Sequence, residues 1–116
     1  MSIKYTLRPE AKAIIISIEG RIVTDNDTAD LLKEIQGNIE EDYKIFYFDL
    51  NKLEYITSSG LNFFVRILTR TRNVDAEVTL CGIQGNVEKL FAISKLNEIF
   101  TFSPSLKEAL NNVNAH

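Results

Sequence analysis

Hydrophobic residues recur along this chain with two different periods, and the two periods predict strands and helices in turn. Short runs rich in β-branched and aromatic residues predict strands at residues 3–7, 13–18, 44–50, 76–82 and 99–102. Apolar residues three and four positions apart predict helices at residues 29–39, 58–73, 84–94 and 106–113. The order β-β-α-β-α-β-α-β-α predicts an α/β fold with a mixed, mostly parallel sheet and about four helices.

Local residues refine this assignment. The first strand stops at Pro9, which favours an edge position, and it forms a hairpin with the second strand. Asp25 or Asp27 is the expected N-cap of the first helix, and Ser103 or Ser105 that of the last. The expected core positions of the last two helices are Val87, Leu90, Phe91, Ile93, Leu106, Ala109, Leu110 and Val113.

The helix predicted at residues 58–73 carries more apolar residues than one stripe accommodates. At about 100° per residue, a core stripe is formed by Leu61, Phe64, Val65 and Leu68. Phe63 and Ile67 fall on the opposite side, beside Arg66 and Arg70. This pair is either an exposed patch that docks a partner or a surface that another segment covers.

The start of this helix is the main candidate for function. It begins with Thr57-Ser58-Ser59-Gly60, directly after a buried strand and a short polar turn. One hydroxyl is enough to cap a helix, so the others are in excess. A helix N-terminus also offers free amides and a partial positive charge, which favour a bound phosphate. Gly60, without a Cβ, would let another group approach the backbone closely.

Composition restricts the possible functions. The 116 residues are 45% hydrophobic and 25% charged, which predicts one globular domain spanning residues 1–116. The net charge of −3 argues against nucleic acid as a partner. No apolar run of about 18 residues and no signal peptide are present, so we expect a cytoplasmic protein that does not insert into membranes. With Cys81 and His116 alone of their kinds, neither a disulfide nor a zinc site is expected, and no cofactor is implied.

Three segments of the chain, taken in their order and spacing, resemble a known family. They are the strand exit Gly20-Arg21-Ile22, the segment FDLNKLEYITSSGL at residues 48–61 and the tail VEKLFAISKLNEIFTFSPSLKEAL at residues 87–110. Together they make the chain similar, over nearly its full length, to the STAS domain of anti-sigma factor antagonists. The resemblance implies a signalling module and not an enzyme.

The resemblance also implies a switch and its partners. In the bacterial antagonists, a serine at the position of Ser58 is phosphorylated by a serine kinase that is also the anti-sigma factor. The unphosphorylated protein sequesters this kinase and so releases the sigma factor, and a metal-dependent serine phosphatase resets the switch. Ser59 and Thr57 are secondary candidates for the phosphate. The expected partner-binding residues are Asp25, Thr57, Ser58, Ser59, Gly60, Leu61, Asn62, Phe63, Arg66, Ile67 and Arg70.

Two positions depart from the family pattern. Thr57 and Val23 stand where the family carries acidic residues near the phosphorylated serine, although Asp25 could substitute for the second. The departures favour an alternative hypothesis, a STAS scaffold that never carries phosphate and belongs to a larger lipid-transport or stress-signalling assembly. A homodimer through Phe63 and Ile67 or through the first strand is also open. An enzyme is not expected, because no Gly-x-Ser-x-Gly motif surrounds Ser58.

Overall fold

The chain forms six strands and four helices in a computed structural model that describes residues 3–114, with side chains as far as Asn111. The strands are β1 (Ile3–Glu10), β2 (Ala13–Ile22), β3 (Ile45–Asp49), β4 (Leu53–Ile56), β5 (Glu77–Cys81) and β6 (Thr101–Ser103). The helices are α1 (Ala29–Glu40), α2 (Ser58–Arg72), α3 (Gly85–Ile93) and α4 (Leu106–Asn114), with short 3₁₀ turns at Asp25–Thr28 and Leu96–Glu98. The Val113 side chain and His116 lie outside the described residues.

The strands form one sheet in the order β1-β2-β3-β5-β6. β1 pairs with β2 as an antiparallel hairpin and lies at the edge, whereas β2, β3, β5 and β6 are parallel neighbours. The mixed, mostly parallel α/β architecture is therefore confirmed. The element order was incomplete, because β4 runs parallel to the end of β2 and was read as part of a polar turn. At four residues it is too short to show an alternating pattern.

The alternation of side chains along the strands gives the sheet two buried faces. One face is covered by α1, α2 and α3, and its core includes Ile14, Ile16, Phe46, Phe48, Leu80, Leu31, Phe64 and Phe91. The other face packs against α4 and includes Ala13, Ile15, Tyr47, Cys81 and Ala109. Because both faces are buried, the central strands read as almost unbroken apolar runs in the sequence.

The predicted core stripe of α2 was correct for Leu61 and Phe64, which are buried, but it was too narrow and wrongly included Val65. Phe63 and Ile67 are 1% and 0% exposed, whereas Val65, which was assigned to the core, is 38% exposed. Phe63 lies edge-on to Phe48, with ring centroids 6.1 Å apart. The buried arc of α2 is wide because the sheet packs beneath the helix while α1 and the Asp25–Thr28 turn pack against its side. An exposed docking patch at Phe63 and Ile67 does not exist, and a homodimer through it is excluded.

Three smaller predictions also need correction. Ile93 ends α3 and is 77% exposed, because the chain turns away at Lys95, which adopts a left-handed φ of 61°. The last strand begins at Thr101 and not at Ile99, since a 3₁₀ turn occupies the preceding residues. Neither Asp25 nor Asp27 caps α1, whose N-cap position is Thr28. By contrast, Ser105 caps α4 as expected, with Oγ accepting from Glu108 N–H at 3.1 Å.

Candidate functional site

Thr57 lies at the junction between β4 and α2, where its hydroxyl both accepts and donates a hydrogen bond. Its Oγ1 accepts the Gly60 N–H at 3.0 Å, which caps the helix, and donates to the Val23 carbonyl at 2.6 Å. The Thr57 N–H donates to the Ile22 carbonyl at 3.1 Å. The first turn of α2 is therefore tied to the end of β2 through one residue. A hydroxyl can donate and accept at once, which a carboxylate at this position could not do.

Ser58 and Ser59 present the excess hydroxyls at the first turn of α2. Both side chains are exposed, and neither hydroxyl has a hydrogen-bond partner in the part of the chain that the structure describes. The Gly60 N–H is taken by Thr57 Oγ1 and the Leu61 N–H by the Thr57 carbonyl. The amides of Ser58 and Ser59 are thus left to face solvent, as the first amides of a helix do. The two serines combine accessibility with local affinity for an anion.

Gly60 allows α2 to start this close to β2. A Cβ built on Gly60 would lie 2.5 Å from the Ile22 carbonyl oxygen, a distance that real side chains essentially never show. The close approach expected at Gly60 is confirmed, and the group that approaches is the backbone of the same chain. Gly60 therefore positions Ser58 and Ser59 but is itself buried.

The segment after β2 closes one side of the site. The Asp27 carboxylate accepts the Val23 N–H at 2.9 Å and the Thr24 N–H at 3.1 Å, which fixes the turn. Asp25 extends from this turn to α2, where its carboxylate pairs with the Arg66 guanidinium at 3.0 Å. The Val23 side chain remains 37% exposed. The site therefore presents a neutral hydroxyl and an apolar side chain where the family pattern has acidic residues.

A groove runs beside this turn, between α1 and α2. Its volume is about 540 Å³, and it is lined by Asp25, Asn26, Ala29, Leu32, Lys33, Gln36, Arg66 and Arg70. Arg70 Nη1 donates to Gln36 Oε1 at 3.1 Å and crosses the groove without meeting a carboxylate. Arg66, Arg70 and Asp25, three of the residues predicted to bind a partner, are thus brought together on this side of α2.

Two further contacts near the helix start involve residues outside the predicted site. The Ile56 N–H, at the end of β4, donates to Asn86 Oδ1 at 2.8 Å, so the first turn of α3 holds β4 in place. The Arg21 guanidinium lies over the Tyr55 ring, 4.7 Å from its centroid. Both contacts join residues about 30 or more positions apart, so no local pattern reveals them.

The predicted partner-binding residues divide by exposure. Ser58, Ser59, Asn62, Arg66 and Asp25 are exposed, and Thr57 and Arg70 are partly exposed. Gly60, Leu61, Phe63 and Ile67 are buried, so the structure does not present them on the surface that a partner would contact. Their burial has a common cause, since α2 packs on the sheet along the arc that contains them. The available surface is the first turn of α2 and the polar side that continues to Arg70.

Other chemistry is limited within the described residues. No three His, Cys, Asp or Glu side chains come together there as metal ligands, and no helix there has the length and hydrophobicity needed to cross a membrane. Cys81 is buried in β5 as expected, and burial raises the pKa of its thiol to about 12, with a smaller contribution from Asp49. Such a thiol is unreactive at neutral pH.

Comparisons with known proteins agree with this fold. The family model described as STAS domain matches residues 4–109. BtrV of Bordetella bronchiseptica, named as an anti-sigma factor antagonist, is 26% identical over 106 residues, which cover 91% of this chain and 90% of BtrV. The structure of an anti-sigma factor antagonist from Mycobacterium paratuberculosis superposes with a TM-score of 0.83 at 18% identity, covering 97% of this chain and 95% of that one.

The anti-sigma factor antagonist SpoIIAA of Bacillus has the same fold in two chemical states. Its unphosphorylated form gives a TM-score of 0.82 at 16% identity, covering 97% of this chain and 98% of SpoIIAA. Its phosphorylated form gives 0.76 at 16% identity, covering 95% and 99%.

Proposed function

The chain belongs to the STAS domain family, and from this premise we propose that it is an anti-sigma factor antagonist controlled by phosphorylation of Ser58. Unphosphorylated, it sequesters an anti-sigma factor that is also a serine kinase, and a sigma factor is released. Phosphorylated, it dissociates, and a metal-dependent serine phosphatase restores the binding form. The protein acts by binding and not by catalysis.

The division of labour between Thr57 and Ser58 carries this proposal. The Thr57 hydroxyl is fully used in two hydrogen bonds, so the fold does not need the Ser58 hydroxyl for capping. Ser58 is exposed at the first position of α2, where a kinase can reach it. Ser59 is also exposed but follows one position later. Two relatives by fold and sequence, SpoIIAA and BtrV, carry the name of anti-sigma factor antagonist.

A phosphate on Ser58 would change binding more than folding. It adds about −1.5 to −2 charges at pH 7. The helix N-terminus stabilises such a charge by about 0.3 to 1 kcal/mol near the surface, so the fold tolerates it. A partner that covers Ser58, in contrast, would have to accommodate a dianion within a desolvated contact, which is costly without a cation to pair with it.

Mass analysis of the protein from its own host tests the modification directly. We expect intact mass to show a fraction one phosphate heavier, and peptide mapping to place the phosphate on Ser58 and not on Thr57 or Ser59. A phosphate on Ser59 alone would move the switch by one residue. Unmodified protein under growth, stress and starvation would contradict the proposal.

Binding to the host anti-sigma factor tests the consequence. We expect Ser58→Ala to retain binding and Ser58→Asp to weaken it, because only the second introduces a charge at the covered surface. Ser59→Asp is the matched control, since it adds the same charge one position further along the helix. Comparing its binding with that of Ser58→Asp tests whether the position of the charge matters. Equal binding by Ser58→Ala and Ser58→Asp would refute the switch.

One observation favours a second candidate function. Two positions near Ser58 at which the family carries acidic residues are neutral here, because Thr57 and Val23 occupy them, and Asp25 is paired with Arg66. If kinases of this family need those carboxylates, the chain is a permanently unphosphorylated STAS scaffold in a larger assembly. This candidate predicts that Ser58→Ala and Ser58→Asp both co-purify with the same non-kinase partner from the host.

A further inference from the structure

The groove between α1 and α2 has a chemistry of its own, and we infer that it binds an acidic, amphipathic helix of a protein partner. It is lined by Asp25, Asn26, Ala29, Leu32, Lys33, Gln36, Arg66 and Arg70. The inference rests on the proposed function only in taking the partner to be the anti-sigma factor. The chemistry of the bound segment follows from the groove itself.

The charge of the groove is opposite to that of the whole protein. The chain carries a net charge of −3, yet three cationic side chains and one carboxylate line this groove. Of the three cations in the groove, only Arg66 has an ion-pair partner among the described residues, namely the Asp25 carboxylate at 3.0 Å. Arg70 donates to the neutral amide of Gln36, and exposed Lys33 forms no ion pair within the part of the chain that the structure describes. Two cations are therefore left to pair with carboxylates of another molecule.

The shape of the groove suits a helix. Its lining combines the apolar side chains of exposed Ala29 and half-buried Leu32 with the cations Lys33, Arg66 and Arg70. The lining residues on α1 extend from Ala29 to Gln36, about 10 Å at 1.5 Å per residue, which is the length of about two helical turns. A helix with apolar residues on one face and Glu or Asp beside them would place both against matching chemistry.

A titration of ¹⁵N-labelled protein tests this inference without the native partner. The probe is an 18-residue synthetic helix with Leu along one face and Glu beside it, at 50 mM NaCl. We expect amide shifts at Asn26, Leu32 and Gln36 and a Kd that weakens as salt is raised. Two probes would overturn the inference by binding the groove as well or better, namely the same peptide with Lys for Glu and a single-stranded DNA dodecamer. Shifts confined to other surfaces would overturn it too.

Charge variants locate the site. Lys33→Glu combined with Arg70→Glu should weaken binding at least about tenfold, since each reversed contact contributes a few-fold. The control, Lys12→Glu with Lys107→Glu, changes net charge equally but lies away from the groove, so its Kd should stay within about twofold. If the double reversal perturbs the spectrum of the free protein, Lys33→Gln with Arg70→Gln replaces it. Equal weakening by groove and control variants would refute the site.

Two further variants separate this inference from the proposed switch. Asp25→Asn should tighten peptide binding, because it removes the only groove carboxylate and frees Arg66. Ser58→Asp should leave peptide binding within about twofold, since Ser58 lies about 12 Å along α2 from Arg66. If Ser58→Asp also leaves binding of the anti-sigma factor unchanged, the proposed phosphorylation switch is refuted, while the peptide-binding groove is still supported. If the peptide does not bind, the inference about the groove is refuted, while the proposed switch is tested independently by the Ser58 variants.

Discussion

The side chain of Phe63 provides the sharpest test of the structure, because the helical wheel placed it opposite the core stripe and the structure buries it. It is 1% exposed and contacts Phe48 and Phe64, with ring centroids 6.1 and 5.0 Å away in edge-to-face geometry. Truncation of a fully buried phenylalanine to alanine costs about 3 to 5 kcal/mol, from lost transfer free energy and the cavity that remains. We expect Phe63→Ala to lie in this range. That is a large part of the roughly 5 to 15 kcal/mol by which such domains are stable.

Val65 is the matched control on the same helix. It is 38% exposed, and alanine is the better helix former, so Val65→Ala should change the free energy of unfolding by no more than about 0.5 kcal/mol. Urea titration followed by far-ultraviolet circular dichroism measures both, as the chain has no tryptophan. With a denaturant dependence of about 2 kcal/mol per molar urea, Phe63→Ala should lower the midpoint by roughly 1.5 to 2.5 M.

The reverse result would refute the packing of α2. If Phe63→Ala cost less than about 1 kcal/mol while Val65→Ala cost several, the helix would be rotated about its axis. Phe63 and Ile67 would then be exposed as the periodicity suggested, and the groove between α1 and α2 would not exist in the form described.

Three further predictions concern the helix start and the sheet edge. Thr57→Ala should destabilise the protein by about 1 to 2 kcal/mol in the same urea assay, because it removes the helix cap and the hydrogen bond to the Val23 carbonyl. Thr57→Ser keeps the hydroxyl, so its free energy of unfolding should stay within about 0.5 kcal/mol of the native value. Equal losses for the two variants would show that the hydroxyl does not provide this stability. Gly60→Ala should destabilise despite the better helix propensity of alanine, since its Cβ would meet the Ile22 carbonyl oxygen at 2.5 Å; a thermal scan that shows a higher Tm would contradict this close approach. The Tyr5 hydroxyl donates a hydrogen bond to the Glu34 carboxylate on α1. This bond, with smaller contributions from burial and nearby charges, raises the pKa of Tyr5 from 10.0 to about 12. Because the folded state holds this proton more tightly, the stabilisation is complete below pH 10 and is lost as the pH rises towards 12. The stability difference between the native protein and Tyr5→Phe should therefore shrink over that interval, and a difference that grows would have the wrong sign.

Much of the fold was predictable because it is specified by local patterns. The nearly all apolar run at residues 44–50 predicted a strand buried on both faces, and β3 is such a strand. The hydroxyls before Leu61 predicted the start of α2 to the residue. The small strand β4 could not be predicted in this way, since its four residues are held by β2 and by Asn86 and not by their own alternation. An element whose partners are distant in sequence leaves a weak local pattern.

The residue types at the site were predictable from the sequence, but which of their side chains are exposed was not. The sequence by itself determined that three hydroxyls and a glycine begin a helix after a central strand, because capping and backbone geometry act over only a few residues. Only the tertiary structure decided that Thr57 consumes its hydroxyl in bonding to Val23, that Phe63 and Ile67 are buried, and that Arg66 and Arg70 line a groove with α1. A helical wheel gives the angles between side chains but not which arc a neighbour covers. That choice depends on where the sheet and α1 lie, and contacts beyond the helix itself, such as that between Phe63 and Phe48, determine it.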